Sequence, residues 1–486
     1  MNTYIALRRF ALLMGAFFCL TTLFAQGKAQ QIENLLKKYH EYGLFNGSVL
    51  VAHEGEVVYA DGLGMANMEY DIPNEPNTKH RLGSITKQFT AALILQLVEQ
   101  GKLKLHKPIS TYLPDYKGPA ADKVTIHHLL NHSSGIPSYT SFPGFFEEHS
   151  RDPYSPKDFV KKFADSTLQF TPGEKFLYNN SGYFLLGHII EEVTGKTYEQ
   201  VLQENILDPL NMKNTGYDHH ATILKNRASG YEKNGEGYVN APYLDMSLPY
   251  AAGSLYSTVE DLYKWDRALH NNEILSESSK ELMFTPQITQ GTTHYGYGWM
   301  INKLPVGETK DSVDVIAHGG GINGFNTLIA RFPQDEDLVV LLNNTGGTKL
   351  QDMAMSINNI LHDVDYEMPK RSLAMAVFPV FREQGVTAGL EKYKTLKADE
   401  SYALNEAEMN RIGYGLLQND KVKEAIEVFK INVEEFPESW NVYDSLGEAY
   451  MVAGEKDKAV KYYKKSIEMN PDNENGIKML QQMDAQ

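Results

Sequence analysis

A serine and a lysine stand three residues apart directly before a long apolar run, and this spacing can support nucleophilic chemistry. Ser84 and Lys87 form the one Ser-x-x-Lys in the sequence, with Gly83 before them and the apolar residues 89–98 after them. On a helix, residues i and i+3 share a face, so the Lys87 amine can reach the Ser84 hydroxyl. A serine needs an adjacent base, and a buried lysine can be that base because desolvation disfavours its charged form.

The same motif has a catalytic and a structural interpretation. The first N–H groups of the helix point at whatever lies over Ser84, which favours a developing oxyanion. Taken alone, the pattern fits an N-cap serine followed by a surface lysine better than a catalytic pair. A hydrolase also needs a group that returns the proton to the leaving atom and donors for the substrate carbonyl, so the rest of the chain has to supply these.

Tyr178 and Asn180 are the candidates for proton transfer and for orienting the lysine. The sequence Thr-Pro-Gly-Glu at 171–174 predicts a turn that holds them in a loop. A tyrosine beside a cationic lysine can lose or relay a proton, and an amide can orient Lys87 and hold an amide substrate. Residues 238–240 have the same Tyr-x-Asn spacing but lie in a Gly/Asn-rich stretch typical of a surface loop, so we prefer Tyr178.

The run His-Gly-Gly-Gly that begins at His318 follows a strand-like segment and precedes another. Glycines on an edge strand let a substrate backbone approach closely, which makes Gly320 and Gly321 candidate substrate-binding residues together with His318. The N–H of Gly321 is a candidate second oxyanion donor beside that of Ser84. The alternative is a turn histidine beside flexible glycines. Two other His-x-Gly sequences lack this glycine-rich setting: residues 53–55 and 294–296.

A metal-dependent hydrolase is an alternative that the histidines raise. His128 and His132 are spaced i, i+4 and could share a helix face, with His127 beside them. No glutamate follows His128 as the zinc-protease motif requires, so we interpret these as structural histidines and residues 219–220 as a surface pair. The sequence predicts neither a metal nor a cofactor.

Charge and the N-terminal sequence exclude several function classes. Two arginines and an apolar run ending at Ala25 are typical of a secretory signal peptide over residues 1–25, with a retained anchor as the alternative. The only cysteine, Cys19, lies there, so cysteine nucleophiles, cysteine-bound zinc and disulfides are excluded. The net charge of −16 becomes −18 without the two arginines, which excludes nucleic acid as a partner. We expect a secreted or periplasmic protein with no membrane span in its mature part.

A sheet and a central helix must position these residues. Two strand-like runs precede the Ser84 helix, and three more with a final helix follow the middle of the chain. We therefore predict an α/β (α+β) domain over residues 28–363, with one antiparallel sheet flanked by helices and a helical insertion over residues 103–300. The runs and the final helix are 47–52, 57–60, 314–317, 327–332, 338–343 and 349–362.

The last part of the chain is repetitive. Small, large and proline positions recur at a spacing of 34 residues, which is the tetratricopeptide period of two packed helices closed by proline. We predict an all-α repeat domain over residues 401–486, after a linker and capping helices over residues 364–400. A protein, a peptide or the catalytic domain itself is a candidate partner of the repeats. The matched positions are Gly413, Ala425, Phe429 and Pro437, and then Gly447, Ala459, Tyr463 and Pro471.

Together these motifs resemble the serine β-lactamase and penicillin-binding-protein superfamily. Within it, the chain looks like the class C β-lactamase-related group of D-aminopeptidases, D,D-carboxypeptidases and esterases, of which some relatives carry a repeat tail. The similarity runs from about residue 46 to residue 344. An ordered set of segments carries it besides the Ser-x-x-Lys motif: 129–136, 172–174, 178–180, 209–212, 252–257 and 295–299.

The resemblance implies a role for each candidate. Ser84 is the acylated nucleophile, Lys87 is its activator, and Tyr178 is the general base or acid. Asn180 positions Lys87 and the substrate. His318 occupies the first position of a motif that is Lys-Thr-Gly in true β-lactamases, whose lysine helps to hold a substrate carboxylate.

A histidine is largely neutral at pH 7, so this departure favours an esterase or D-peptidase with a less anionic substrate over a strong β-lactamase. The expected substrate is a small molecule or peptide: an ester, a D-amino-acid peptide or a β-lactam-like amide. The alternative is a weakly active or inactive relative that serves as a binding or scaffold protein through its repeats.

Overall fold

The computed structural model describes residues 27–234, 237–305 and 312–484. The predicted signal peptide, with Cys19, lies outside the described residues. The chain divides into two compact units: the first ends at Met368 and leaves out Lys233–Tyr238, and the second consists of Lys233–Tyr238 and the residues from Pro369 on. No helix in the described part of the chain is both long enough and apolar enough to cross a membrane.

The strands, in chain order, are β1 (Gly47–His53), β2 (Glu56–Leu63), β3 (Met65–Asn67), β4 (Ile72–Pro73), β5 (His80–Arg81), β6 (Gly216–Tyr217), β7 (Tyr231–Asn234), β8 (Gly237–Asn240), β9 (Leu255–Ser257), β10 (Ile288–Gln290), β11 (Thr293–Tyr295), β12 (Met300–Pro305), β13 (Ser312–Ile322), β14 (Phe325–Phe332), β15 (Asp337–Asn343), β16 (Arg371–Ser372) and β17 (Tyr402–Ala403).

The helices, in the same order, are α1 (27–41), α2 (Thr86–Glu99), α3 (Ile126–Leu130), α4 (Phe145–His149), α5 (Pro156–Val160), α6 (Asn180–Thr194), α7 (Tyr198–Leu202), α8 (Val259–His270), α9 (Glu277–Phe284), α10 (Leu350–Leu361), α11 (Leu373–Lys397), α12 (Glu406–Gln418), α13 (Val422–Glu435), α14 (Trp440–Val452), α15 (Lys456–Met469) and α16 (Glu474–Asp484).

One antiparallel sheet organises the first unit, in the order β10-β11-β12-β13-β14-β15-β1-β2. Strands from both ends of the unit meet where β1 pairs with β15, with Gly47 opposite Asn343. The predicted sheet built from both ends is therefore confirmed. Three strands that the sequence pattern did not predict, β10 to β12, extend it at the other edge.

Both faces of this sheet are covered, which explains why its central strands are almost wholly apolar. Along β1, Leu50 and Ala52 belong to the core on one face, while Val49 and Val51 belong to the core on the other. This alternation is the period-2 pattern of a strand buried on both sides. Helices α1 and α10 pack on the second face, and α8 packs against β1 and β15 on the first.

Helix α2 is buried nearly all round because it lies between α8 and the insertion helix α6. Every residue from Thr86 to Leu95 is buried. The Phe89 ring stacks on Trp265 of α8, with ring centroids 4.2 Å apart. The predicted helical insertion spans α3 to α9, and its strands β6 and β9 form a small sheet with β5, which precedes Ser84, in the order β5-β9-β6. The residues before and after Ser84 are thus held inside the core of the unit.

The second unit contains the predicted all-α repeats, and this prediction is confirmed. Helices α12 with α13, and α14 with α15, form two hairpins, while α11 packs against the first hairpin and α16 against α15. The recurring small residue permits close helix packing: a Cβ atom at Gly413 would lie 2.5 Å from the Phe429 ring, and one at Gly447 would lie 3.1 Å from the Tyr463 ring.

Candidate active site

Ser84 lies in a short 3-10 turn, Gly83–Ile85, which continues directly into α2. Gly83 has a φ of 56°, in the left-handed region that favours glycine. A Cβ atom there would also lie only 2.9 Å from the backbone nitrogen of Gly321. Glycine at this position therefore both makes the turn and lets the Ser84 segment approach β13.

Lys87 is fully buried one turn into the helix, with its Nζ surrounded by three acceptors. Nζ lies 3.0 Å from Ser84 Oγ, 2.9 Å from Asn180 Oδ1 and 2.8 Å from the carbonyl oxygen of Ala252. Burial lowers the pKa of Lys87 well below its ordinary value. A neutral amine has two N–H groups for Asn180 and Ala252 and a lone pair that faces Ser84, so this geometry can accept the serine proton.

The start of helix α6 positions the Tyr-Asn-Asn segment through its own cap. The side chain of Asn179 accepts the N–H of Gly182 at 2.7 Å, and its backbone N–H donates to His132 Nδ1 at 3.1 Å. Asn180 donates from Nδ2 to Thr140 Oγ1 at 3.2 Å, which fixes the amide so that its oxygen faces Lys87. This geometry allows Asn180 to orient the lysine.

Tyr178 is half-buried and places a phenol with a buried hydroxyl beside the serine and lysine. Its hydroxyl has no hydrogen-bond partner of ordinary geometry within the described residues, and Lys87 Nζ lies 4.9 Å from its ring centroid. Burial raises the pKa of Tyr178, and the Ser84 hydroxyl acts weakly in the opposite direction. The ring packs against His132 with centroids 4.3 Å apart. At neutral pH this phenol keeps its proton and can donate it.

His318 lies on β13 and is held neutral. Its Nδ1–H donates to the carbonyl oxygen of Gly319 at 2.6 Å, so Nε2 accepts from the Tyr295 hydroxyl at 3.1 Å. Burial lowers the pKa of His318 to about 3. This position therefore presents no positive charge to a substrate at neutral pH.

The glycines after His318 lie on an open edge of the sheet. β12 pairs with β13 only as far as Ala317, whereas β14 pairs with it as far as Ile322, so one side of this stretch has no strand partner in the described chain. A Cβ atom at Gly320 would lie 1.9 Å from the carbonyl oxygen of Leu82, while Gly321 is exposed with nothing within 4 Å of such an atom. A substrate backbone has room to lie along this edge.

The structure brings the predicted site residues together from three separate parts of the chain. The sequence does not identify Tyr295 as a site residue. It lies within the discounted His-x-Gly sequence at 294–296, but the Tyr-Gly-Tyr-Gly-Trp segment of the resemblance, which contains it, is a signal that could have found it. Nor does the sequence identify the Ala252 carbonyl, because any residue type can supply a backbone carbonyl oxygen. Tyr238 of the alternative Tyr-x-Asn sequence is exposed on β8.

The histidines of the metal-hydrolase alternative do not share a helix face. Helix α3 ends at Leu130, and His132 beyond it has a φ of 61°. The His132 ring packs against Tyr178, and burial lowers its pKa well below the ordinary value. His127 instead approaches the Tyr297 hydroxyl, 2.7 Å from its Nδ1. The structural interpretation of these histidines agrees with this geometry.

Comparison with known proteins identifies families and individual proteins to which this chain is similar. A family model described as Beta-lactamase matches residues 29–361, and one described as Tetratricopeptide repeat matches residues 445–473. Penicillin-binding protein 4* of Bacillus subtilis (strain 168) is 30% identical over 367 residues, which cover 71% of this chain and 79% of that protein. Teichoic acid D-alanine hydrolase of Staphylococcus aureus is 31% identical over 261 residues, which cover 53% of this chain and 60% of that protein.

A solved structure is similar over the same part of the chain. The D-amino acid amidase from Ochrobactrum anthropi SV3 superposes with a TM-score of 0.61 at 25% identity, and the match covers 69% of this chain and 99% of that one. The residues matched by the first family model include every predicted site residue, from Ser84 to Gly321.

Proposed function

Because the chain belongs to the beta-lactamase family of serine hydrolases, we propose that it hydrolyses esters or amides of D-amino acids through an acyl-enzyme on Ser84. Two relatives support the substrate class, since their names describe a D-alanine hydrolase and a D-amino acid amidase. The observation that carries the proposal is the contact of Lys87 Nζ with Ser84 Oγ, 3.0 Å away, in a buried site that favours the neutral amine.

In the first step, Ser84 Oγ attacks the substrate carbonyl carbon while its proton passes to Lys87 Nζ. The carbonyl oxygen becomes an oxyanion, for which the backbone N–H groups of Ser84 and Gly321 are the proposed donors. The bond to the leaving alcohol or amine then breaks, and Tyr178 donates its phenolic proton to that group. The Lys87 ammonium returns the proton to Tyr178, so both groups recover their starting states.

In the second step, water replaces the leaving group and releases the D-amino acid. A water molecule attacks the acyl carbon as one of its protons passes to the same base, and the bond between Ser84 Oγ and the acyl carbon breaks. Ser84 Oγ regains its proton from Lys87. Asn180 keeps the amine directed at the serine in both steps, because its own amide is held by Thr140.

The neutral state of His318 limits the substrates. A leaving group that ends in a carboxylate, as in a peptide C-terminus or a penicillin, is best held by a cation, since charge-assisted hydrogen bonds are the strong ones. His318 offers only a neutral ring already bonded to Tyr295. We therefore propose leaving groups without a carboxylate, such as an alcohol or a simple amine. Residues 1–25 support a secreted or periplasmic site of action.

The test compares D-alanine methyl ester, its L isomer, and a D-alanyl-D-alanine peptide with a free carboxylate. We expect the D ester to give the highest kcat/KM and an acyl adduct on Ser84 by intact-mass spectrometry, and Ser84→Ala to abolish both. His318→Lys should raise the ratio of peptide to ester kcat/KM by about 10–150-fold, since a charged hydrogen bond contributes about 1.5–3 kcal/mol. His318→Gln is the neutral control and should not raise it.

Three results would contradict the proposal, in whole or in part. Turnover that survives Ser84→Ala would place the chemistry elsewhere. A folded protein that gives no adduct with these substrates or with a fluorophosphonate would instead favour the binding or scaffold protein that acts through its repeats. Equal rates on the D and L esters would retain the serine mechanism but remove the D-amino-acid assignment.

A further inference from the structure

Three potential metal ligands converge at an end of the main sheet, away from the catalytic residues. His53 is the last residue of β1, Asp337 is the first residue of β15, and His362 follows the last residue of α10. His53 Nδ1 lies 2.7 Å from Asp337 Oδ1, and His362 Nε2 lies 2.7 Å from Asp337 Oδ2. Within residues 27–234, 237–305 and 312–484, this is the one group of three histidine, cysteine or acidic side chains whose ligand atoms lie within 4.8 Å of one another.

The surroundings of Asp337 resemble those of a ligand carboxylate. Its side chain is fully buried, and the backbone N–H of Glu54 donates to its Oδ1 at 3.1 Å, which fixes its orientation. Such outer hydrogen bonds orient ligands in metal sites. The two histidine side chains remain 22% and 30% exposed, so an ion can enter from solvent. Asp335 adds a second negative charge, with its carboxylate 3.7 Å from His362 Nε2.

We propose that His53, Asp337 and His362 bind a zinc ion. Two imidazole nitrogens and a carboxylate are a ligand set that suits zinc, which takes such ligands at about 2.0–2.2 Å in tetrahedral geometry. The two nitrogens already face the same carboxylate from two different elements, so only small movements would admit the ion. A hydrogen-bonded triad without metal would satisfy the same three groups, and the experiment must therefore measure the metal itself.

The location assigns this ion a structural role. Thr327, whose hydroxyl donates to the carbonyl of Leu82 near the Ser84 turn, pairs with Leu342 on β15. Leu342 is five residues from Asp337, which corresponds to about 17 Å along the strand. The ion would therefore lie about 17 Å along β15 from the position that pairs with Thr327, too far to take part in chemistry at Ser84. The ion would join the end of β1, the start of β15 and the end of α10. Because the unfolded chain would lack the assembled site, binding would stabilise the folded state.

The experiment uses the full-length chain, freed of metal by a chelator and dialysed against zinc chloride. We expect one zinc per chain by elemental mass spectrometry and a melting temperature that rises with zinc concentration. Cobalt(II) in place of zinc should give the intense visible absorption of tetrahedral coordination. Loss of an outer-shell partner costs about 10–100-fold in metal affinity. His53→Gln and His362→Gln each remove a direct ligand, so each should weaken zinc binding by more than that. Hydrolysis of D-alanine methyl ester should be the same with and without zinc.

A matched control separates this site from adventitious binding. His219 is an exposed histidine that pairs with a single carboxylate, Glu199, so His219→Gln should keep the full zinc content. Wild-type protein that takes up no zinc would overturn the proposal, whether or not the variants fold. Zinc retained by both His53→Gln and His362→Gln, or lost equally from His219→Gln, would overturn it as well.

Discussion

At Lys87, burial and hydrogen bonding act on the same amine in different ways. Burial disfavours the ammonium, and none of its three hydrogen-bonding partners in the described part of the chain is a carboxylate. The two fixed acceptors, Asn180 Oδ1 and the Ala252 carbonyl, can each take one N–H of the neutral form. The remaining lone pair is then directed at Ser84. The site thus favours the neutral form of the Lys87 amine and directs its lone pair toward Ser84.

The pH dependence of hydrolysis should follow from this lysine. The neutral amine is the active form, so kcat/KM should fall as pH decreases through the lowered pKa of Lys87. Burial holds the pKa of His318 at about 3, so His318 stays neutral over this range and does not contribute the acid limb. The measurement is a pH–rate profile of the wild type and of His318→Gln on D-alanine methyl ester.

The two profiles should have the same acid limb. Loss of that limb in His318→Gln would show that the histidine, and not Lys87, is the titrating group. Lys87→Met should lower the rate across the whole range because it removes the base. The residue types suggested this chemistry and a largely neutral histidine at position 318. They did not indicate the burial and the hydrogen bond from Tyr295 that hold it neutral, because the local sequence does not show these contacts.

At the scale of elements, the glycine run of β13 determines how closely the sheet approaches the serine. Gly320→Ala should lower both stability and activity, because its Cβ atom would lie 1.9 Å from the Leu82 carbonyl oxygen and would push the strand from the Ser84 turn. Overpacking of this kind costs about 1–3 kcal/mol. Gly321→Ala is the matched control: its Cβ atom meets nothing within 4 Å, and its backbone N–H is retained.

Thermal unfolding and the rate of Ser84 acylation by a fluorophosphonate would measure both effects. We expect Gly320→Ala to melt at a lower temperature and to react more slowly, and Gly321→Ala to melt like the wild type. A Gly320→Ala variant that is as stable and as reactive as the wild type would mean that the close approach of β13 to the Ser84 turn is not required.

The ends of strands and helices were predictable where the local hydrophobic pattern agrees with the strand pairing and helix packing of the folded chain. The strand predicted at 314–317 extends over Ser312–Ile322, because pairing with β14 outweighs the poor strand preference of the glycines. The strands β10 to β12 have no strong alternation, and each is paired in turn with the next, from β10 through β11 and β12 to β13. The i, i+4 pair of His128 and His132 suggested one helix face, but Asn131 ends that helix.

At the scale of the whole molecule, the catalytic unit depends on contacts between its two ends. The Gly47–Asn343 pairing joins segments almost 300 residues apart in the sequence, and the proposed catalytic residues come from stretches between them. The order of motifs and the 34-residue period made both units predictable. The grouping of Lys233–Tyr238 with the second unit could not be predicted, because a short hairpin carries no periodic pattern that would indicate the unit to which it belongs.

Each unit has its own hydrophobic core among the described residues, and this leads to a prediction about truncation. The main cores of the first unit extend no further than Leu361, and the core of the second begins at Leu373. A chain that stops after Met368 should therefore remain soluble and hydrolyse D-alanine methyl ester with the kcat/KM of the full chain. The same truncation carrying Ser84→Ala is the control for contaminating activity. If the truncated protein instead unfolds or aggregates, the repeats stabilise the catalytic unit; if it folds but loses activity, they shape its site.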